Sequence, residues 1–85
     1  MDNSLALYYS SYCFFCQKVM MFLRGKSFDI EMRSTSKREH FTALKKGGGK
    51  TQVPCLRIEN KTGDVRWMYE SDDIIQYLKK QAQAA

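Results

Sequence analysis

Cysteine is scarce in this chain, three residues in 85, and proline scarcer still, with Pro54 alone. Three thiols are too few for the disulfide scaffold of a small secreted domain, and the odd count leaves one unpaired. No run approaches the ~18 apolar residues of a membrane span. Met1-Asp2-Asn3-Ser4 lacks a charged segment followed by a long apolar one, so no secretory signal is expected. Acid is short of base, 9 residues against 14, giving a net charge of +5. The Lys and Arg residues are nevertheless spread along the chain in runs no longer than two or three. That disfavours nucleic acid and suits a small anionic partner, whose encounter rate a basic surface raises. No internal repeat or linker is visible. What is present is a 44% hydrophobic, 13% aromatic composition, that of a folded protein. The length corresponds to one domain over 1–85. A reducing, cytoplasmic setting is expected, where a close cysteine pair serves catalysis or metal binding rather than structure.

The periodicities place the elements. Leu5-Ala6-Leu7-Tyr8-Tyr9 reads as a buried strand. Cys16, Val19, Met20 and Leu23 recur at i, i+3, i+4 and i+7, so a helix is expected from about Cys13 to Arg24, with Gly25 as its cap. Phe28, Ile30 and Met32 alternate with polar residues as a half-buried strand. Ser36 or Thr35 is expected to cap a helix over Lys37 to Lys46, with Phe41 and Leu44 inward and Gly47-Gly48-Gly49 ending it. Cys55–Glu59 and Val65–Met68 form a hairpin around the turn Asn60-Lys61-Thr62-Gly63-Asp64. Ser71 is expected to cap a last helix, with Asp72 and Asp73 in its first turn and Ile74, Ile75 and Leu78 buried. The order β-α-β-α-β-β-α predicts an α/β, thioredoxin-like fold: a four-stranded mixed sheet flanked by three helices.

Cys13-Phe14-Phe15-Cys16 carries the chemistry. Thiols at i and i+3 lie about one helical turn apart, near enough to pass between dithiol and disulfide with little backbone movement. With Cys13 at the helix N-terminus, its thiolate would face unpaired N–H groups and the positive end of the helix dipole. That setting lowers a cysteine pKa and makes the sulfur a nucleophile near neutral pH. A C-x-x-C beside a β-α-β pattern reads as a thioredoxin-like redox motif.

Two further constellations follow in order: Thr51-Gln52-Val53-Pro54 at the entrance to a strand, and Glu70-Ser71-Asp72-Asp73 at a helix start. Together with the cysteine pair they resemble the glutaredoxin family over nearly the whole chain. The second half is closest to the branch that resembles glutathione transferase N-terminal domains. There Gln-Val-Pro, Glu-Ser and an Ile-x-x-Tyr-Leu helix are typical, and Ile74-Ile75-Gln76-Tyr77-Leu78 matches. The sequence stops at Ala85, ahead of the transferases' helical second domain, which leads to the expectation of a stand-alone glutaredoxin.

The resemblance implies glutathione as co-substrate and assigns roles. Cys13 would be the nucleophile and Cys16 the resolving thiol. Val53 would pair its backbone with the cysteinyl part of glutathione, as an added strand does, with Pro54 cis. Ser71 and its helix N-terminus would hold the γ-glutamyl carboxylate, and Glu70 or Asp72 the ammonium. Tyr12 and Phe15 would flank the sulfur and the peptide. Phe14 stands where the family has proline, Phe15 where it has tyrosine, and Ser10 where it has a lysine that contacts a ligand carboxylate. Lys50, Gln52 or Lys37 would supply that contact instead. In some relatives a residue other than proline there goes with a glutathione-ligated 2Fe-2S cluster shared by two chains.

Simpler roles stand beside these. A structural zinc site needs four ligands, and beyond the pair only Cys55 and His40 remain, the latter expected on a solvent face; no metal site is expected. Cys55 reads as a core thiol, Lys18 as a solvated helix charge, and Trp67 and Met68 as sheet residues. The glycine run lacks a following Lys-Ser/Thr and reads as a loop rather than a phosphate cradle. The function expected is that of a monomeric glutathione-dependent thiol–disulfide oxidoreductase acting on protein disulfides and glutathione mixed disulfides. Neither nucleic acid nor membrane is an expected partner. The alternative is a carrier module for a 2Fe-2S cluster. A thioredoxin-type reductase is disfavoured by Glu70-Ser71 and by the missing Trp-Cys-Gly-Pro-Cys.

Overall fold

The computed structural model describes residues 3–84. Met1 and Asp2, part of the segment read for a secretory signal, and Ala85, where the sequence stops, lie outside the described residues. The elements run β1 (Ser4–Tyr9), α1 (Phe14–Leu23), β2 (Ile30–Ser34), α2 (Arg38–Gly48), β3 (Cys55–Glu59), β4 (Val65–Met68) and α3 (Ser71–Ala84). The sheet order is β2-β1-β3-β4. β1 is parallel to β2 and antiparallel to β3, and β4 closes the hairpin antiparallel to β3. This is the thioredoxin-like α/β architecture that the order of the elements predicts.

The period-two alternation of β1 and β3 divides the core between the two faces of the sheet. Leu5 and Leu7 sit opposite Ile58 and Leu56 and pack with Val19 of α1 and Ile74 and Leu78 of α3. Tyr8 sits opposite Cys55, and both pack with Leu44 of α2 on the other face. The first cluster holds seven buried side chains and the second three, so α1 and α3 are held far more firmly than α2.

Several local expectations change. Phe28 precedes β2, and Met32 and Phe41 are both 42% exposed rather than inward. Leu44 is the one fully buried side chain of α2, because most of this short helix is polar. Neither Ser36 nor Thr35 caps α2: Lys37 holds the cap position with no side-chain bond. The Ser36 hydroxyl meets that of Ser34, and Thr35 Oγ1 donates to the Tyr9 carbonyl. Gly47 and Gly48 are helical, and the helix ends at Gly49 in the left-handed region. The cap position of α3 falls on Glu70, whose carbonyl accepts from the Ile74 N–H, so Ser71 is the first helical residue. Among the described residues no helix is long and apolar enough to cross a membrane.

Candidate functional site

The site forms where β1 gives way to α1. Cys13 is the N-cap of α1, with extended backbone angles. Its N–H donates to the Ser10 carbonyl at 3.3 Å and its own carbonyl accepts from Gln17 N–H at 3.0 Å. In the place of the usual Ser or Asp oxygen, its sulfur accepts the Cys16 N–H at 3.1 Å. The helix therefore begins with a sulfur aligned to one of its orphan donors. The same thiol donates to the Val53 carbonyl at 3.7 Å, and Val53–Pro54 is a cis peptide.

Cys16, one turn on, is in a different environment. It is wholly buried, and burial, followed by the adjacent Cys13, pushes its pKa up to about 12, against a partial lowering from the Ser10 backbone. Cys13 is half-buried and is the one thiol of the three with solvent access. Cys55 is wholly buried on the α2 side of the sheet. Burial pushes its thiol up to about 11, offset in part by the Tyr69 hydroxyl and the Met68 backbone.

Six of the ten expected site residues line one groove of about 110 Å³: Phe15, Gln52, Val53, Pro54, Glu70 and Ser71. The wall is completed by Tyr69, which no motif in the sequence marks. Its signal is only positional, one residue beyond β4 and one before Glu70. The Lys50 ammonium lies 4.8 Å from the centre of its ring. Its buried hydroxyl lies near Cys55 without reaching hydrogen-bond geometry, and burial raises its pKa.

Two expected residues lie elsewhere. Tyr12 is 99% exposed and does not line the groove. Asp72 points across to α1, where its carboxylate pairs with Lys18. Lys18 is thus one half of a surface ion pair rather than a solvated charge. His40 is half-buried, with its ring edge-on to Tyr8 at 6.4 Å, because α2 turns it toward the sheet. Among the described residues no group of three or more His, Cys, Asp or Glu side chains is placed to hold a metal ion.

The arrangement offers one accessible sulfur at a helix N-terminus, a backbone carbonyl close beside it, and a groove with a carboxylate at Glu70. It can present a nucleophilic sulfur to a disulfide and hold a short peptide alongside. Solved structures of similar fold include the C-terminal domain of DsbD from Neisseria meningitidis. Its reduced form has a TM-score of 0.65 at 15% identity, covering 93% of this chain and 80% of that one. Its oxidised form has a TM-score of 0.67 at 14% identity, covering 93% and 79%. At such identities the likeness is one of fold. A search of curated proteins finds no match. The family described as glutathione S-transferase, N-terminal domain, matches residues 7–85. With nearly all of its length matched, and with the fold and the groove just described, the chain belongs to the glutathione S-transferase N-terminal domain family.

Proposed function

We propose that the chain is a glutathione-dependent thiol–disulfide oxidoreductase of the glutaredoxin kind, with Cys13 as its nucleophile. The observation that carries this reading is the placement of Cys13: solvent-accessible, capping α1 with its sulfur, and 3.7 Å from the Val53 carbonyl.

With a protein–glutathione mixed disulfide, the Cys13 thiolate attacks the glutathione sulfur. A Cys13–glutathione disulfide forms, and the protein leaves as a thiolate that takes a proton from water. The thiolate of a second glutathione then attacks the bound glutathione sulfur. Oxidised glutathione departs and Cys13 regains its electron pair. Val53 pairs with the peptide backbone of glutathione, Ser71 and the start of α3 hold its γ-glutamyl carboxylate, and Glu70 meets the ammonium. Gln52 or Lys50 takes the other carboxylate. The burial of Cys16 and its raised pKa favour this route over closure of a Cys13–Cys16 disulfide, since an attacking thiol must be ionised and within reach. Protein disulfides are the second substrate class, reduced when Cys16 is uncovered and loses its proton to the leaving thiolate.

The test is glutathione-coupled reduction of a small mixed disulfide by wild type, Cys13→Ser and Cys16→Ser. Turnover is expected to vanish in the first variant and to persist in the second. A wild type without glutathione-dependent turnover overturns the reading. The remaining reading is then the 2Fe-2S carrier, which one accessible thiol per chain and the exposed Phe14 beside it favour. Its readout is colour after purification without oxygen, lost in Cys13→Ser.

A further inference from the structure

The chemistry at Cys13 leaves α2 unused. Residues 37–50 hold Lys37, Arg38, Lys45, Lys46 and Lys50 against the single acid Glu39, so they carry four of the chain's five net positive charges. All six side chains are exposed. The ion pairs of the described residues, Lys18–Asp72, Arg33–Glu31 and Arg57–Glu59, draw on none of them. The last two of those pairs neutralise the neighbouring sheet, so the positive field comes from the helix.

In the linear sequence these cations are scattered; the helix gathers them. Arg38, Phe41 and Lys45 fall at i, i+3 and i+7 along one stripe, with Lys46 beside it. Leu44, Gly47 and Gly48 meet the sheet along the adjoining face, with Phe41 at the boundary between the two. Phe41 is 42% exposed, so an aromatic ring stands at the border between the cations and the sheet.

Both ends of this helix sit at the Cys13 end of the sheet. At its start, the Thr35 N–H donates to the carbonyl of Tyr9, the last residue of β1, at 2.9 Å. At its finish, Gly47 and Gly48 abut Trp67 and Tyr69, and Tyr69 lines the groove. An 11-residue helix spans about 16 Å, close to the roughly 14 Å across three inter-strand spacings. α2 therefore crosses the sheet from β2 to β4 along the edge where Cys13 lies.

We propose that this stripe docks the protein half of the mixed disulfide, and that the substrates are proteins with acidic residues close to the disulfide. The inference rests on the Cys13 reading and names its substrate class. An exposed aromatic ring beside a row of cations supplies both an apolar anchor and an electrostatic rim for an interface. A nucleic acid would meet the same charge but brings no disulfide to Cys13.

The test uses two glutathionylated peptides, one with glutamates and one with lysines flanking the cysteine, and a neutral small mixed disulfide of glutathione. Wild type is compared with Arg38→Glu/Lys45→Glu/Lys46→Glu. Wild type is expected to favour the glutamate peptide by about tenfold in kcat/KM at low salt, with the preference lost at about 0.5 M salt. The triple variant is expected to lose or invert the preference while its turnover of the small disulfide is unchanged. Equal kcat/KM for both peptides in wild type, or a preference that survives in the variant, overturns the proposal. Binding separates this result from failure of the Cys13 chemistry. The labelled, unreactive glutamate peptide is titrated into Cys13→Ser with and without the charge reversals, beside a short DNA duplex. Peptide binding weakened about fivefold by the reversals supports docking; tighter binding of the DNA than of the peptide overturns it.

Discussion

Cys13, Cys16 and Cys55 carry the same functional group in three surroundings, and the surroundings decide what each can do. Cys13 has solvent on one side and backbone dipoles on the other; Cys16 and Cys55 have neither water nor a partner charge to stabilise a thiolate. Their folded pKa values, about 12 and about 11, lie above the ordinary thiol value. A group that holds its proton more tightly when folded stabilises nothing extra below its unfolded pKa. Above that value the unfolded chain sheds protons first, and stability falls as pH rises. Between about pH 9 and pH 11, each buried thiol is expected to lower the free energy of unfolding by about 1.4 kcal/mol per pH unit. The check is Tm of the reduced protein measured across that range. Cys55→Ala is expected to begin from a lower Tm but to show a shallower alkaline decline. A Tm unchanged across the range would contradict this account of the two thiols.

At the scale of elements, α2 shows how a glycine run serves packing. Alanine is about 1 kcal/mol better than glycine inside a helix, so Gly47 and Gly48 weaken the helix they end. Their lack of a Cβ is what lets the helix lie against β4. A Cβ at Gly48 would overlap the Tyr69 hydroxyl and stand 3.1 Å from its ring carbon; one at Gly47 would overlap the Trp67 indole. Gly48→Ala is therefore expected to destabilise the protein by about 1–3 kcal/mol, the ordinary effect of overpacking, despite the gain in helix propensity. Tyr69→Phe removes the overlapping oxygen. The double variant Gly48→Ala/Tyr69→Phe is expected to recover most of the loss in urea unfolding. A double variant as unstable as the sum of the single changes would show that the contact is not the cause.

The molecule as a whole is a sheet covered unequally. One face carries α1 and α3 over seven buried core residues, and the other carries α2 over three. Much of that second face is closed by rings and guanidinium groups: Tyr8 and Trp67 with centroids 5.7 Å apart, Arg33 5.4 Å from the Tyr8 centroid and Arg57 5.8 Å from the Trp67 centroid. With little apolar area beneath it, α2 is expected to open locally while the rest stays folded. Amide hydrogen exchange in the middle of α2 is expected to run at least about tenfold faster than in β1 and β3. Leu44→Ala, which removes its one buried anchor, is expected to widen the gap. Equal protection of α2 and the central strands would mean that the helix is held by more than Leu44, the His40 ring on Tyr8 and its two glycine contacts.

How much of this was legible in the chain follows the range of the interactions involved. The order of seven elements, the hairpin at Cys55–Glu59 and Val65–Met68, and the C-x-x-C at a helix start rest on spacing within a few residues. For that reason they can be read without a structure. The six expected residues that line the groove come from three separate segments, and their meeting follows from the strand order rather than from any one segment. Periodicity alone places both Phe41 and Leu44 inward; only the narrowness of the contact between α2 and the sheet leaves Phe41 exposed. Gly47 and Gly48 look like a loop until Trp67 and Tyr69 are set against them. Asp72 looks like a ligand-binding carboxylate until Lys18, 54 residues away in sequence, reaches it. By itself the sequence determined the kinds of element, their order and the reactive pair, because backbone preferences and side-chain periodicity act locally. Which thiol meets solvent, which carboxylate lines the groove and which helix carries the exposed charge were decided only by tertiary structure. Burial and charge pairing depend on side chains that the chain holds far apart and the fold brings together.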